Sequence, residues 1–300
     1  MKYYIDLGSN VIKIYGAEND GTEEEKINLL EKHELPFQEN FEEDKGISER
    51  NYRKLMLYLK EMIDKYGLNM GNSKVYATGV WRKIPQEQFE TLKADFNDKG
   101  LKFNVVSKEE ETVYFEREIG KICSNPNVLM VSIASKQTEI VVLNNRANEE
   151  ENASLKETLN IGVTEIVNNF PTINEKYNNI EKENIIKYVL ELLEDKNIEF
   201  AGEYGIFIGG ELKDKNNIKY KLVPNFMFED TLHEHTILET EFAIKNEEML
   251  QKINLQDIYM FMPNNKKWLE GSKAAALIAE AIFKKAKVKY ILPTDLNIIK

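Results

Sequence analysis

The chain has 300 residues, of which 42% are apolar and 30% charged, and its formal net charge at pH 7 is −11. This length allows one large domain or two ordinary ones, and the composition is typical of a soluble globular protein. The acidic balance argues against a protein that coats nucleic acid, whereas a single local basic pocket would still suffice for a small polyanion.

The first third of the chain predicts three strands followed by alternating helices and strands. Residues 3–16, YYIDLGSNVIKIYG, predict a hairpin whose corner is Gly8-Ser9-Asn10, and residues 24–37 predict a third strand. Ser48 is a suitable N-cap for a helix that ends before Gly67. The remaining predictions in this third are strands at 73–81 and 101–107 and helices at 85–100 and 108–123.

Near residue 126 the same pattern restarts. Residues 127–145 again predict an apolar run, a small polar corner and a second apolar run, and 153–161 predict a third strand. Helices are predicted at 162–170 and 182–196, a strand at 204–210, an alanine-rich helix at 272–287 and a strand at 288–293. Residues 147–154 predict an exposed hairpin loop, whereas 211–272 have no clean periodicity outside 235–253. The order β-β-β-α-β-α is traced twice, which predicts a tandem duplication with its boundary near residues 120–127.

The first corner has two interpretations. Gly8, Ser9 and Asn10 could present several backbone N–H groups to one anion, and Asp6 could hold a Mg²⁺ that bridges to phosphate oxygens. The alternative is an ordinary hairpin turn closed by a local hydrogen bond. Taken alone, the corner favours the turn, but a second corner facing it would make a phosphate clamp between two domains.

Three short motifs lie at the ends of predicted strands in the first third of the chain. Residues 5–10, IDLGSN, match the pattern I-D-x-G-S-N-S, in which Val11 replaces the last serine. Residues 77–82, ATGVWR, match A-T-x-A-x-R, and residues 107–112, SKEEET, correspond to S-G-x-E-E-A with Lys108 at the glycine. Through these motifs the chain resembles the exopolyphosphatase / guanosine pentaphosphate phosphohydrolase (Ppx/GppA) family of the actin-like ATPase superfamily.

The resemblance implies an α/β fold of two tandem actin-like (ribonuclease H-like) domains with an interdomain cleft. We expect an N-terminal domain at 1–123 and a C-terminal domain at 124–300, whose last segment could pack back on the first domain. Residues 206–210, IFIGG, correspond to a glycine-rich phosphate or nucleotide strand, so Gly209 and Gly210 are candidate phosphate ligands. The resemblance continues through the helix at 273–284.

The resemblance also implies a chemistry, which is hydrolysis of a terminal phosphoanhydride of inorganic polyphosphate or of guanosine penta- or tetraphosphate. Arg82 would hold phosphoryl oxygens while Glu111 activates water as the general base, and Mg²⁺ would be the cofactor. Asp6 would serve the metal with help from Glu139. The implied phosphate-binding residues are Gly8, Ser9, Asn10, Thr78, Lys136, Thr138, Gly209 and Gly210.

Without the resemblance, the same residues have ordinary structural interpretations. Glu111 is one of three consecutive glutamates that suit the positive end of a helix dipole. Arg82 would be a surface charge and Thr78 a simple strand threonine.

The second corner departs from the family pattern D-I-G-G-G-S-T-E, because residues 132–139 are SIASKQTE. The carboxylate becomes Ser132, and the three glycines become Ala134, Ser135 and Lys136. Non-glycine residues resist the left-handed conformation by about 1–2 kcal/mol each. Either Lys136 replaces the lost metal charge with its ammonium, or catalysis has been lost and the fold retained. These losses favour weak or absent phosphatase activity.

The rival hypothesis is a catalytically inactive member that binds a phosphorylated ligand or acts as a scaffold, and a third is an actin-like sugar or acetate kinase. Other candidate sites rank lower. The imidazoles of His233 and His235 could hold a metal on a strand, the basic run 213–221 could meet a polyanion, and Cys123 is interpreted as structural. One cysteine excludes an intrachain disulfide. The absence of a signal-peptide pattern or membrane-length apolar run predicts a cytoplasmic protein without membrane contact. The sequence leaves open whether the protein forms a homodimer.

Overall fold

This computed structural model describes residues 1–18, 26–37, 39–123, 127–134, 136–144, 153–175, 181–194, 196, 198, 200–208, 219–227, 235–254, 256–257 and 270–294. The chain divides into two compact units, of which the first covers Met1–Tyr114 and the second begins at Phe115. A domain boundary at residue 123 stays a prediction. The predicted hairpin loop at 147–152 and the chain end after residue 294 lie outside the described residues.

The first unit contains a four-stranded sheet with the strand order β3-β2-β1-β4. β1 pairs antiparallel with β2 and parallel with β4, and β2 pairs antiparallel with β3. Its strands are β1 (Lys2–Leu7), β2 (Val11–Glu18), β3 (Lys26–Glu34) and β4 (Ser73–Ala77). Its helices are α1 (Glu49–Tyr66), α2 (Gln86–Asp98), a 3-10 helix (Gly79–Lys83) and the start of α3 (Lys108–Ile122).

Local sequence explains where α1 begins and ends. The Ser48 hydroxyl accepts a hydrogen bond from the backbone N–H of Asn51, and Gly67 ends the helix in the left-handed conformation with φ 65°. Leu55, Leu59 and Met62 lie on the buried face of α1 and pack in the apolar core of the unit. These observations confirm the predicted N-cap and helix.

The predicted strand at 101–107 is wrong. This segment forms only an isolated bridge between Val105 and Ala77, although its side chains alternate between buried and exposed. The reason lies in its neighbour, because β4 ends at Ala77 and the chain then turns into the 3-10 helix. Two hydrogen bonds remain, from Ala77 N–H to Asn104 O at 2.8 Å and from Val106 N–H to Ala77 O at 3.0 Å.

The second unit contains a seven-stranded sheet with the order β7-β6-β5-β8-β11-β10-β9. Its strands are β5 (Asn127–Ile133), β6 (Thr138–Asn144), β7 (Ala153–Leu159), β8 (Tyr204–Ile208), β9 (Leu222–Pro224), β10 (His235–Leu238) and β11 (Tyr290–Thr294). Its helices are α4 (Val163–Asn169), α5 (Lys182–Leu192), α6 (Glu239–Lys252) and α7 (Ser272–Lys285), together with the later part of α3. β10 and α6 arise from residues 235–253, the part of 211–272 where the sequence has a clean periodicity, whereas β9 arises from the part without one.

The two sheets repeat one topology. In each unit three consecutive antiparallel strands are followed by a strand parallel to the first of them, giving β3-β2-β1-β4 and β7-β6-β5-β8. A doubly wound sheet would not begin with three antiparallel strands in each half. The predicted duplication of an α/β unit is therefore confirmed at the level of topology.

No helix within the described ranges is both long enough and apolar enough to cross a membrane.

Helix α7 forms the centre of the second core, and every residue from Lys273 to Phe283 is buried. Its alanines allow α5 and α6 to pack close against it. Two buried residues of this stretch are charged, Lys273 and Glu280, and the Glu280 carboxylate pairs with Lys182 Nζ at 2.8 Å and accepts a hydrogen bond from Asn246 Nδ2 at 2.7 Å. This buried pair links α7 to both neighbouring helices.

We predict that Glu280→Ala lowers the free energy of unfolding by about 3–5 kcal/mol, because it leaves the buried Lys182 ammonium uncompensated. The double substitution Lys182→Met/Glu280→Leu should recover most of this loss, since it removes both charges. Urea denaturation followed by circular dichroism measures both effects. Breaking the exposed Lys187–Glu191 pair with Glu191→Ala serves as the control and should change stability by less than about 0.5 kcal/mol. A double variant no more stable than Glu280→Ala would contradict the charge explanation.

Candidate functional site

The candidate site lies at the carboxyl ends of two parallel strands of the first unit. β1 and β4 are in register, with Leu7 opposite Ala77, so both strands end at the same edge of the sheet. The corner Gly8-Ser9-Asn10 follows β1, and Thr78 and the 3-10 helix follow β4. Ligands of α/β sheets commonly bind at this edge, because the backbone groups after each strand are free to face a ligand.

The corner is held by its carbonyl oxygens. Gly8 N–H first closes the turn by donating to Val11 O at 3.0 Å. Three donors from two other segments of the unit then bind the three successive carbonyls. From the 3-10 helix, Trp81 Nε1 donates to Gly8 O at 3.2 Å. From the segment after β3, Phe37 N donates to Ser9 O at 2.9 Å and Leu35 N donates to Asn10 O at 3.0 Å. The corner is therefore fixed tertiary structure and not merely a two-strand turn.

This arrangement decides where the N–H groups of the corner point. In a trans peptide the C=O and the following N–H are directed oppositely, so a carbonyl bound on one side turns its N–H to the other. The N–H groups of Ser9 and Asn10 share their peptide units with the bound carbonyls of Gly8 and Ser9. Neither N–H donates to a backbone carbonyl within the described part of the chain. Two adjacent donors are thus available to an anion.

The Ser9 side chain ties the corner to the segment that follows β4. Its hydroxyl accepts a hydrogen bond from Val80 N–H at 3.0 Å. Gly79 has φ +68°, and a Cβ at this position would overlap the Ser9 hydroxyl. Glycine is therefore required at residue 79 for two reasons, its backbone conformation and its close approach to Ser9.

Asp6 supplies a carboxylate with little compensation. Its side chain is 14% exposed, and Lys13 Nζ, on the neighbouring strand, lies 3.9 Å from Asp6 Oδ2. Burial raises the pKa of Asp6 from 3.8 to about 6, with Lys13 opposing the rise and the negative charge of Glu111 adding to it. A partly buried carboxylate with so little positive charge near it is suited to a divalent cation, for which oxygen anions are the preferred ligands.

Arg82 and Glu111 form an ion pair beside this carboxylate. Arg82 Nη2 donates to Glu111 Oε2, and Arg82 Nε donates to Val106 O at 2.7 Å. The two side chains are only 16% and 18% exposed. The structural interpretations of Arg82 as a surface charge and of Glu111 as a solvated helix-start residue are therefore wrong.

The start of α3 places Glu111. Ser107 and Glu110 form a capping box, in which Ser107 Oγ accepts from Glu110 N at 3.1 Å and Glu110 Oε2 accepts from Ser107 N at 2.8 Å. This box fixes the first turn of the helix, in which Glu111 lies. Glu110 is accordingly an anchoring residue, whereas Glu111 faces Arg82.

In the second unit the corner after β5 is built differently. Ala134 N–H donates to Gln137 O at 2.8 Å and closes the turn, and the Lys136 side chain is exposed. The Thr138 hydroxyl is fully buried and donates to Ile161 O at 2.6 Å, and phosphate binding by Thr138 stays a prediction. Glu139 is partly exposed on β6, opposite Ser132. The roles of Lys136 and Glu139 stay predictions.

The structure describes only some of the remaining predicted positions. Gly209 and Gly210, His233 and most of the basic run 213–221 lie outside the described residues, and so does Ser135. His235 begins β10 and is exposed. Thr78 is partly buried at the site edge, where its N–H donates to Leu7 O at 3.0 Å. Within the described ranges no group of three or more His, Cys, Asp or Glu side chains could hold a metal ion.

Sequence reasoning missed two residues of this site, Lys13 and Trp81. Lys13 could have been found from the strand alternation, since it is the one charged residue between apolar neighbours on β2 and hairpin pairing sets it opposite Asp6. Trp81 gave no comparable local signal, because its contact with the corner joins residues 73 positions apart.

We predict that Asp6→Asn stabilises the protein at neutral pH. The folded-state pKa of Asp6 is raised, so folding favours the protonated acid, and stability is lost as the pH rises from about 4 through about 6. A pKa raised from 3.8 to about 6 corresponds to as much as about 3 kcal/mol. Urea denaturation at pH 4 and pH 7.5 measures the free energy of unfolding, and the gain of the variant over the wild type should be larger at pH 7.5. An equal gain at both pH values would disprove the raised pKa of Asp6.

We predict that Gly79→Ala destabilises the first unit more than Gly100→Ala. Both glycines have positive φ, +68° and +72°, but only at residue 79 would the added Cβ meet another group. We expect a loss of about 1 kcal/mol for Gly100→Ala and of about 2 kcal/mol or more for Gly79→Ala. Thermal and urea denaturation of both variants measure the difference, and equal losses would show that Ser9 moves aside freely.

No protein-family model matches the sequence, and no curated protein matches it significantly. Solved structures do match. The Ppx/GppA family member from Aquifex aeolicus superimposes with a TM-score of 0.72 over 99% of this chain and 94% of its own, at 15% sequence identity. An exopolyphosphatase from Cytophaga hutchinsonii gives a TM-score of 0.72 over 99% and 94% of the two chains at 13% identity.

An exopolyphosphatase-like protein gives a TM-score of 0.65 at 10% identity, over 99% of this chain and 95% of its own. The TM-scores over nearly the full chain establish a shared fold, whereas identities of 10–15% leave activity to be argued from the site. The chain therefore has the actin-like α/β fold of the Ppx/GppA protein family.

Proposed function

We propose that this protein is a member of the Ppx/GppA family that binds a condensed phosphate and hydrolyses its terminal phosphoanhydride. The substrate class is inorganic polyphosphate or guanosine penta- or tetraphosphate. The observation that carries the proposal is the arrangement at one sheet edge of the first unit. There the backbone N–H groups of Ser9 and Asn10, unpaired within the residues that the structure describes, follow β1, which ends beside β4. The same unit supplies the Asp6 carboxylate and the Arg82–Glu111 ion pair.

The phosphate would be bound by donors with fixed directions. Ser9 and Asn10 offer two backbone N–H groups, and Thr78 lies at the same edge. Arg82 uses Nε and Nη2 for Val106 and Glu111, so its remaining N–H groups can bind phosphoryl oxygens. Phosphoryl transfer depends chiefly on positioning and charge stabilisation, which fixed donors and a guanidinium provide.

Asp6 would hold the Mg²⁺ of the reaction. The bound ion would neutralise phosphate charge and help align the phosphoryl group for in-line attack. Asp6 fits this role because its carboxylate is partly buried and weakly compensated, with Lys13 at 3.9 Å. Lys13 would then limit the negative charge of the site before the ion binds.

Glu111 would act as the general base toward the attacking water. In this structure its carboxylate is bound to Arg82, which holds it in place beside Asp6. A phosphate bound to the remaining N–H groups of Arg82 would also compete with Glu111 for Nη2, which would leave Glu111 Oε2 to accept a proton from water. The pair thus couples substrate binding to the availability of the base.

The second unit is where turnover would be reduced. The sequence lacks the carboxylate and the glycines that the family has at residues 132–136, and the Thr138 hydroxyl is committed to Ile161. We keep Lys136 and Glu139 as candidate contacts for phosphate and metal, with Gly209 and Gly210. The expected activity is slow, and the single Cys123 suits a reducing, cytoplasmic compartment.

The second candidate function is binding of a phosphorylated ligand without turnover. Two observations favour it, namely the rebuilt second corner and the Arg82–Glu111 ion pair, which would persist if no ligand displaces Glu111. The corner of residues 8–10 would still bind phosphate in this case. The two functions therefore share a binding site and differ in catalysis.

We predict that Glu111→Gln lowers phosphate release from polyphosphate with Mg²⁺ by about 100- to 1,000-fold, because the general base is lost. Arg82→Lys should also lower it, since lysine cannot reproduce the bidentate geometry of a guanidinium. Phosphate release is measured on polyphosphate and on guanosine tetra- and pentaphosphate.

Glu90→Gln is the matched control, because it removes a carboxylate from an exposed weak pair with Lys93. It should leave the rate unchanged. Turnover that survives Glu111→Gln undiminished would refute the proposed catalytic role. Wild-type protein that binds these phosphates but releases none would establish the binding function instead.

A further inference from the structure

Trp81 has a second contact besides its place in the core. The indole is buried and packs edge-on against Phe37, with ring centroids 4.5 Å apart, and against Phe103 at 5.9 Å. These contacts alone would make it an ordinary core residue. Its Nε1–H, however, donates to Gly8 O at 3.2 Å, at the corner where we place the phosphate.

The bound carbonyl and the phosphate-binding N–H belong to one peptide unit. Gly8 O and Ser9 N–H lie at opposite ends of the same planar amide, so whatever holds the oxygen also aims the hydrogen. Gly8 has no Cβ, and a glycine beside an amide restricts its rotation little. If this amide turned over, a carbonyl oxygen would face the phosphate in place of the N–H and would repel it.

The hydrogen bonds to the Ser9 carbonyl and the Ser9 hydroxyl do not orient the Gly8–Ser9 amide directly. Phe37 N–H binds the next carbonyl, that of Ser9, and Val80 N–H binds the Ser9 hydroxyl. Both fix the Ser9 residue, but neither contacts the amide between Gly8 and Ser9. The indole N–H does contact it, and its ring is held by two aromatic neighbours.

We propose that Trp81 is a positioning residue for phosphate binding, whose indole N–H keeps the Gly8–Ser9 amide in the orientation that presents Ser9 N–H to a phosphoryl oxygen. The inference rests on the proposed function, because it requires an anion at Ser9 and Asn10. Hydrogen bonds at the two ends of one amide polarise each other, so an anion at Ser9 N–H strengthens the bond from Trp81. By linkage, loss of the Trp81 donor weakens anion binding by the same factor.

The coupling can be observed by titrating isotope-labelled full-length protein with pyrophosphate in amide-resolved NMR. We expect the N–H signals of Ser9 and Asn10 and the indole N–H signal of Trp81 to shift along one binding curve. The indole proton should move downfield, as its hydrogen bond strengthens. A residue with only a structural role would not respond in this way.

Two variants remove the donor. Trp81→Phe keeps a ring, and replacement of Trp81 with benzothienylalanine keeps the bicyclic shape while sulfur replaces the N–H. Each should weaken pyrophosphate binding about 3- to 10-fold, which is the range expected for one neutral hydrogen bond. Where turnover is measurable, KM should rise by a similar factor while kcat changes less. Phe96→Leu is the control, since it opens the same core without touching the corner and should leave the affinity unchanged.

The outcomes distinguish the positioning role of Trp81 from the proposed phosphate binding at residues 8–10. If both Trp81 variants bind pyrophosphate as tightly as the wild type, with Ser9 and Asn10 still shifting, the role of Trp81 is refuted and the phosphate site stands. If pyrophosphate shifts no signal of residues 8–10 in the wild type, the proposed phosphate site itself is refuted. Weaker binding in the two variants but not in Phe96→Leu supports the inference.

Discussion

The candidate site depends on the hydrogen bonds that hold the carbonyl oxygens of Gly8, Ser9 and Asn10. Each of these oxygens is bound by a donor from outside the hairpin. Because peptide groups are planar, binding the oxygens inward leaves the N–H groups of Ser9 and Asn10 outward. The same turn would be a plain hairpin connection without these donors, and its N–H groups would have no defined direction. The direction of these N–H groups is thus set by the whole first unit.

The charged side chains at this edge of the sheet lower the stability of the first unit, because the Asp6 carboxylate is partly buried. Asp6 is kept partly buried next to a second carboxylate, Glu111, with one lysine nearby, and its pKa is raised accordingly. Arg82 offsets the charge of Glu111 and is itself held by Val106 O. A fold selected for stability alone would avoid two neighbouring, partly buried carboxylates, whereas a site for metal and phosphate uses them.

The two units share a topology but not the chemistry of their first corners. After β1 the corner has glycine, serine and asparagine, which are partly buried, and the Ser9 hydroxyl accepts a hydrogen bond from Val80 N–H. After β5 the turn closes through Ala134 and Gln137, and Thr138 directs its hydroxyl inward to Ile161. Repeated strand order therefore persists even where the residues that would bind a ligand have changed. This is the reason why fold and activity need separate arguments here.

The sequence by itself determined the elements whose signals are local. The caps Ser48 and Gly67, the repeated strand-corner-strand pattern and the helix α7 follow from spacing and from residue types that act within a few positions. It also brought forward Asp6, Arg82 and Glu111, through short motifs at the ends of strands. Tertiary structure alone decided what each of these residues contacts, because contacts such as that of Trp81 with Gly8 join positions far apart in sequence. For the same reason the alternating residues 101–107 form no strand, since β4 ends before it can pair with them. The inward turn of Thr138 likewise depends on Ile161, 23 residues away, which no local pattern reveals.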